Sequence, residues 1–216
     1  MNNIRKTAGL LILVMAAAIL AAGCSKKDKE ASESDTKRNA TLTIDEQGQI
    51  VITYTEAFDK SYYSKEELES RAAEELSEFN KTASGDSSAA MEALNVKDGN
   101  AVMKIRFSDE KVYVDYVKEY VNPDKETKLF IGTYKEAVSA GHDFSGKYTS
   151  GEDLSEVTAK EFKDTDSLVV VYTNEEQRIL VPGDIMYFGD NVSLDKGLAV
   201  TSAGKDNYII YKPDEK

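Results

Sequence analysis

The single histidine of the chain, His142, stands in the run Gly141-His142-Asp143-Phe144-Ser145-Gly146. A base beside an acid and a hydroxyl has the ingredients of acyl transfer. Sequence neighbours point in different directions, however, and a catalytic triad is assembled in space. No G-x-S-x-G elbow accompanies it. A polar loop histidine just past a helix C-terminus, where positive charge is favoured, is the simpler reading. Two carboxylates suffice for glycoside hydrolysis, but a chain with 39 Asp and Glu has too many pairs for any one to stand out. Sugar sites also tend to offer Trp for stacking; this chain has none, which leaves Tyr. Calcium would find abundant oxygen ligands, most densely at Asp164-Thr165-Asp166 and at Asp184 with Asp190. Without a D-x-[DN]-x-[DN]-G loop, both groups read as solvated turns. We expect no catalytic residue, no metal and no cofactor.

Tyr is over-used, with 12 in the chain. Tyr62, Tyr63, Tyr113, Tyr116 and Tyr120 are candidates for a binding surface, since amphipathic rings are enriched at contacts. The competing reading is strand-core Tyr with the hydroxyl at the edge. Glu66, Glu67, Glu69, Glu74, Glu75 and Glu78 crowd one helical segment. They read either as a soluble outer face or as a docking surface for a basic partner.

The net charge of -12, from 27 Lys and Arg against 39 acids, argues against nucleic acid as a partner, because phosphate binding needs excess basic residues. One Cys excludes an internal disulfide. That residue, Cys24, follows a start carrying Arg5 and Lys6, an apolar stretch over 7–20, and the small residues Ala21, Ala22 and Gly23. A charged start, a short apolar run and small residues before a cut describe a secretory signal peptide. Residues 8–23 are too few and too Ala-rich for a span that takes about 20 apolar residues.

The elements that would position any chemistry begin after a polar stretch. Segment 25–40 has no large apolar residue and reads as a disordered tether. Alternation over 41–55 predicts a β-hairpin around Asp45–Gly48, and 64–80 predicts a helix capped by Ser64 with Glu67. A second hairpin is expected from 101–107 and 112–120, although Val112, Tyr113, Tyr116, Val117 and Tyr120 also fit a helix. Thr133 with Glu136 opens a short helix that ends at Gly141, and 153–163 reads as helical. The remainder is strand-rich: 167–173, 178–181, 184–188, 197–201 and 207–211. The fold class is therefore α+β, antiparallel hairpins packed on one main helix with a strand-rich C-terminal part. The expected division is a signal peptide at 1–23, the Cys and tether at 24–40, and a single domain over 41–216 with a weak boundary near 146–151.

Small residues directly before a lone Cys resemble the lipobox of bacterial lipoproteins. The resemblance implies cleavage before Cys24 and a diacylglyceryl group on its thiol, so that the covalent lipid makes the membrane a partner. In the lipobox the place of Ala21 is more usually Leu, which here stands one position further back at Leu20. The mature chain would lose Arg5 and Lys6 and no acid, reaching -14, a charge repelled by anionic lipid. Phe58-Asp59-Lys60-Ser61-Tyr62-Tyr63, the acidic helix ending in Asn80, and Leu129-Phe130-Ile131-Gly132-Thr133 with Ala137 and Gly141 also resemble an uncharacterised group of lipoproteins from anaerobic Gram-positive bacteria. That group has no established activity to carry over. The expected function is a non-enzymatic binding or interaction module on the extracytoplasmic side of the cell membrane, with an envelope protein or polymer as ligand. The alternatives are an extracytoplasmic hydrolase using paired carboxylates and an accessory subunit of an envelope complex.

Overall fold

The computed structural model describes residues 40–82 and 88–214. They form a mixed α+β structure with few helices and a strand-rich C-terminal part. β1 (Ala40–Ile44) and β2 (Ile50–Ala57) are joined by a turn in which Asp45 Oδ1 accepts from the backbone N–H groups of Gln47 and Gln49, both at 2.9 Å. The chain divides into two compact units, one built on Ile52–Glu126 and the other on Thr41–Val51 with the chain from Thr127 onward. The chain passes between them within β2, at Val51 and Ile52, and again at Glu126 and Thr127, just past the Asn122-Pro123 stop.

The first unit is a hairpin with a helix on it. α1 (Lys65–Thr82) starts where Ser64 Oγ accepts the N–H of Glu67, and it buries Leu68, Ala72, Leu76 and Phe79 along one face. β3 (Ala89–Lys97) and β4 (Asn100–Phe107) pair antiparallel, with a bulge between Met91 and Ala93. Their two-residue turn, Asp98-Gly99, has positive φ at both positions, the geometry whose twist matches a hairpin. Alternation in β4 buries Ala101, Met103, Ile105 and Phe107, and β4 lies between β2 and β3.

The expected strand after Ser108 is a helix. α2 (Glu110–Tyr116) is capped by Asp109, whose side chain accepts from Val112 N, and a π-helical turn continues over Val117–Val121. The N-cap decides the outcome. It places Tyr113, Tyr116 and Val117 at helical spacing, all buried. β-branched content near the turn did not prevail against that packing.

In the second unit β1 runs parallel to β9 (Arg178–Leu180), which pairs antiparallel with β12 (Leu198–Val200), itself beside β11 (Ser193–Asp195). An antiparallel six-stranded sheet has the order β5-β8-β13-β10-β6-β7. These strands are β5 (Leu129–Thr133), β6 (Lys147–Ser150), β7 (Glu156–Thr158), β8 (Val169–Thr173), β10 (Gly183–Gly189) and β13 (Asn207–Pro213). α3 (Tyr134–Ser139) opens with a complete capping box between Thr133 and Glu136. Ala137, Tyr148, Phe162, Leu168, Val170, Tyr187 and Ile210 form the core on its side. The helix expected over 153–163 is instead β7 and a 3-10 turn. Asp153 accepts from Ser155 in a tight turn, and Leu154 takes a left-handed φ of 60 and stays exposed, so the chain reverses where a helix would continue.

Candidate functional site

Three adjacent strands of the second unit bring rings into a row. Phe130 of β5 pairs with Tyr172 of β8, and Tyr172 with Tyr208 of β13. His142, just beyond α3, lies against all three. Its ring centroid is 4.6 Å from Phe130, 4.8 Å from Tyr172 and 5.9 Å from Tyr208, and its Nδ1 is 3.5 Å from the Tyr208 hydroxyl. Burial among these rings holds the imidazole below its usual pKa, against the opposing pull of Asp206. His142 is therefore neutral at neutral pH.

The middle ring of the row, Tyr172, borders a recess of about 380 Å³. Tyr172 forms part of the wall, and its hydroxyl donates to Asp206 Oδ1 at 2.7 Å. Asn174 and Asn191 supply amides, and Lys128 and Lys205 supply ammonium groups. The loops carrying these groups are clamped. Asn207, completely buried, donates from Nδ2 to the carbonyls of Thr173, Ser202 and Lys205, and its Oδ1 accepts from Ser202 N at 2.9 Å. Gly204 N donates to Asn174 O at 2.8 Å, Lys128 N to Asn174 Oδ1 at 2.8 Å, and Asn191 Nδ2 to Asp206 O at 3.2 Å. The walls are thus set before any ligand arrives, which lowers the ordering cost of binding. Two cations and one carboxylate line a recess in a chain whose overall charge is -12.

The sequence candidates lie elsewhere or differently. Asp143 folds back on Ser145, its Oδ1 accepting from Ser145 N and its Oδ2 from Ser145 Oγ. His142 turns to the rings instead, so the His-Asp-Ser neighbours do not converge. Tyr113 and Tyr116 are corrected from surface to core: they are 4% and 1% exposed. Tyr116 donates its hydroxyl to the buried Glu75 at 2.5 Å, and Tyr120 stacks on it, half-buried, 5.3 Å between centroids. Tyr62, 57% exposed, and Tyr63 remain at the surface, edge to face with each other, and Phe58 packs on Tyr63. Asp164 caps a 3-10 turn at a left-handed φ of 51. Asp184 and Asp190 lie near opposite ends of β10, about 20 Å apart at strand spacing. Among the described residues no three His, Cys, Asp or Glu side chains gather as metal ligands. Cys24, Ala21, Ala22 and Gly23 fall outside the described residues.

Tyr172, Asp206, Asn174, Asn191, Lys128 and Lys205 were not singled out by sequence. Their positions become adjacent only through the order β5-β8-β13, which joins strands far apart in the chain. The available signal was a phenol at the edge of each of two apolar runs, Tyr172 after Val169-Val170-Val171 and Tyr208 before Ile209-Ile210. Compared with known protein families, with curated proteins and with solved structures, the chain matches none. Among the described residues no helix is long and apolar enough to cross a membrane.

Proposed function

We propose that this chain is a lipid-anchored protein of the extracytoplasmic side of a bacterial cell membrane that binds an envelope polymer without transforming it. The observation that carries the reading is the clamped recess at the ends of β8 and β13. Its amides suit hydroxyl groups, its two ammonium groups suit an anionic substituent, and the Tyr172 ring offers an apolar edge. A hydroxyl-rich polymer unit bearing carboxylate or phosphate combines these features. Glycoside hydrolysis would ask for two carboxylates flanking the scissile bond; the recess is lined by one, Asp206, already accepting the Tyr172 hydroxyl. The anchor rests on Cys24 behind Ala21-Ala22-Gly23, and two acyl chains would hold the protein stably on the bilayer.

Thermal unfolding of the mature chain with fragments of envelope polymers tests the site. At about 100 times its dissociation constant a ligand adds roughly 2.7 kcal/mol and raises the midpoint by several degrees. The shift should vanish with Tyr172→Ala and with the pair Lys128→Gln and Lys205→Gln. Release of shortened fragments on incubation would replace binding with hydrolysis. Release of Cys24→Ala protein into the medium, with loss of fatty-acid labelling, tests the anchor; unchanged retention and labelling would remove it.

A further inference from the structure

A second surface lies in the first unit, between α1 and β3. Ala73, Leu76 and Ser77 of α1 face Ala90 and Met91 of β3 across a groove of about 520 Å³. β3 ends the strand order, and among the described residues no strand lies beyond it. Asn80 closes one end of the groove. Its Nδ2 donates to Ala89 O at 2.8 Å and its Oδ1 accepts from Ala89 N at 3.0 Å. A side-chain amide thereby pairs with both main-chain groups of the strand, as a neighbouring strand would. At 100° per residue, the stripe of α1 that holds Ala73, Leu76 and Asn80 continues toward the N-terminus through Glu69 to Glu66, both exposed. The helical wall is thus polar at the Asn80 end, where the basic Lys81 also lines the groove, apolar in the middle, and acidic beyond the groove at Glu66 and Glu69, so a basic side chain of an occupant is favoured only at the end away from Lys81.

We infer that this groove takes an extended segment of a partner protein by strand addition to β3, with small apolar side chains between Leu76 and Met91 and a Lys or Arg against Glu66 and Glu69. Two features support it. An edge strand presents main-chain groups that a second strand can pair with, and alternate side chains of that strand enter adjacent pockets. The acidic end of the wall, on a chain of net charge -12, selects a basic segment and speeds its approach. The groove also belongs to a different unit from the polymer recess, so its test stands apart from that reading. The bulge between Met91 and Ala93 interrupts regular pairing, which limits the segment to a few residues on each side.

The test titrates a Lys-Lys-Val-Thr-Val-Thr-Val peptide into the isotopically labelled mature chain carrying Cys24→Ser, read by amide chemical shifts. The expected result is a saturable shift confined to β3 and the C-terminal half of α1. Ala73→Gln, a neutral and exposed helix substitution that fills the groove, should weaken binding about tenfold or more without moving the thermal midpoint. A peptide N-methylated at alternate residues should not bind, because it cannot pair with β3. The pair Glu66→Gln and Glu69→Gln should weaken binding about threefold or more at low salt. Binding that ignores both Ala73→Gln and N-methylation would mean diffuse attraction to an acidic chain and would overturn the inference. So would the absence of any saturable shift. A concentration-dependent dimer with β3 shifts and no peptide would make a second copy the occupant, and the partner assignment would fall.

Discussion

In the first unit Phe79, Phe107 and Tyr120 pack around Tyr116, which is bonded to Glu75, and Tyr113 lies against Phe107; in the second, Phe130, His142, Tyr172 and Tyr208 form a row whose Tyr172 borders an open recess. Both clusters are built from Phe and Tyr, with Glu75 in the first and His142 in the second. The first is assembled from helix faces that close against β4, so its rings are shielded on most sides. Glu75 is 4% exposed, and burial with this carboxylate nearby lifts the Tyr116 hydroxyl well above its usual pKa. Burial, with Glu119, Glu78 and Glu75 adding to it, pushes Tyr120 up to about 12. The second is a row across three strands, and a row runs out where the strands end. Its middle phenol, Tyr172, one residue from the end of β8, donates to Asp206 at the rim. The same residue types therefore give a core in one unit and a site in the other, according to whether the supporting surface encloses them or terminates.

The widest contrast should appear in stability. Phe107→Ala, at a fully buried position, is expected to cost about 3–5 kcal/mol in urea unfolding. Tyr172→Ala, half-buried at the recess, should cost less than half of that while removing ligand binding. Equal costs would erase the distinction between a closed cluster and an open one. Next comes the clamp. Asn207→Ala leaves the Ser202 N–H and three carbonyls without their partner and should cost about 3 kcal/mol. It should also blunt the ligand-induced thermal shift, because residues 201–206 lose their anchor. A variant equally stable and equally responsive would show that the recess is not held by Asn207.

Within the closed cluster, Tyr116→Phe removes the hydroxyl donated to Glu75 and should cost about 1–3 kcal/mol, the range for leaving a buried acceptor without its partner. A cost near zero would mean that Glu75 does not depend on Tyr116. The smallest effect concerns His142. Its folded pKa lies below the unfolded value near 6.5. Both states are neutral well above that value. As pH falls through it, the unfolded chain takes up the proton first, so stability declines until the folded pKa is passed. His142→Phe should flatten stability against pH in the window just below 6.5, measured by denaturant titrations at closely spaced pH. An unchanged slope would assign the dependence to other groups.

Much of the framework was legible in the residues. Ser64 with the stripe Leu68, Ala72, Leu76 and Phe79 marked α1, because capping and helical periodicity are local properties. Thr133 with Glu136 marked α3 for the same reason. The alternation of Ala101, Met103, Ile105 and Phe107 marked β4. Its partner was misread. Residues 112–120 satisfy both periods, and the arbiter was a cap at Asp109 together with Phe107 at the end of β4 and Phe79 of α1, the latter distant in sequence. The reading of 153–163 failed at Leu154, where a left-handed turn left an apolar side chain exposed. Apolar spacing alone cannot reveal such a turn.

Sequence by itself determined the composition that sets charge, the α+β class, and the helices that carry their own caps. These depend on residues within a turn or two of each other, or on no geometry at all. Tertiary structure alone decided that Tyr113 and Tyr116 are core, that His142 turns from Asp143 and Ser145 toward rings, and that Tyr172 meets Asp206 beside two lysines. Strand order is set by the burial of whole faces and by loop closure between distant segments. The groups it gathers at a strand end have no local pattern that could announce them.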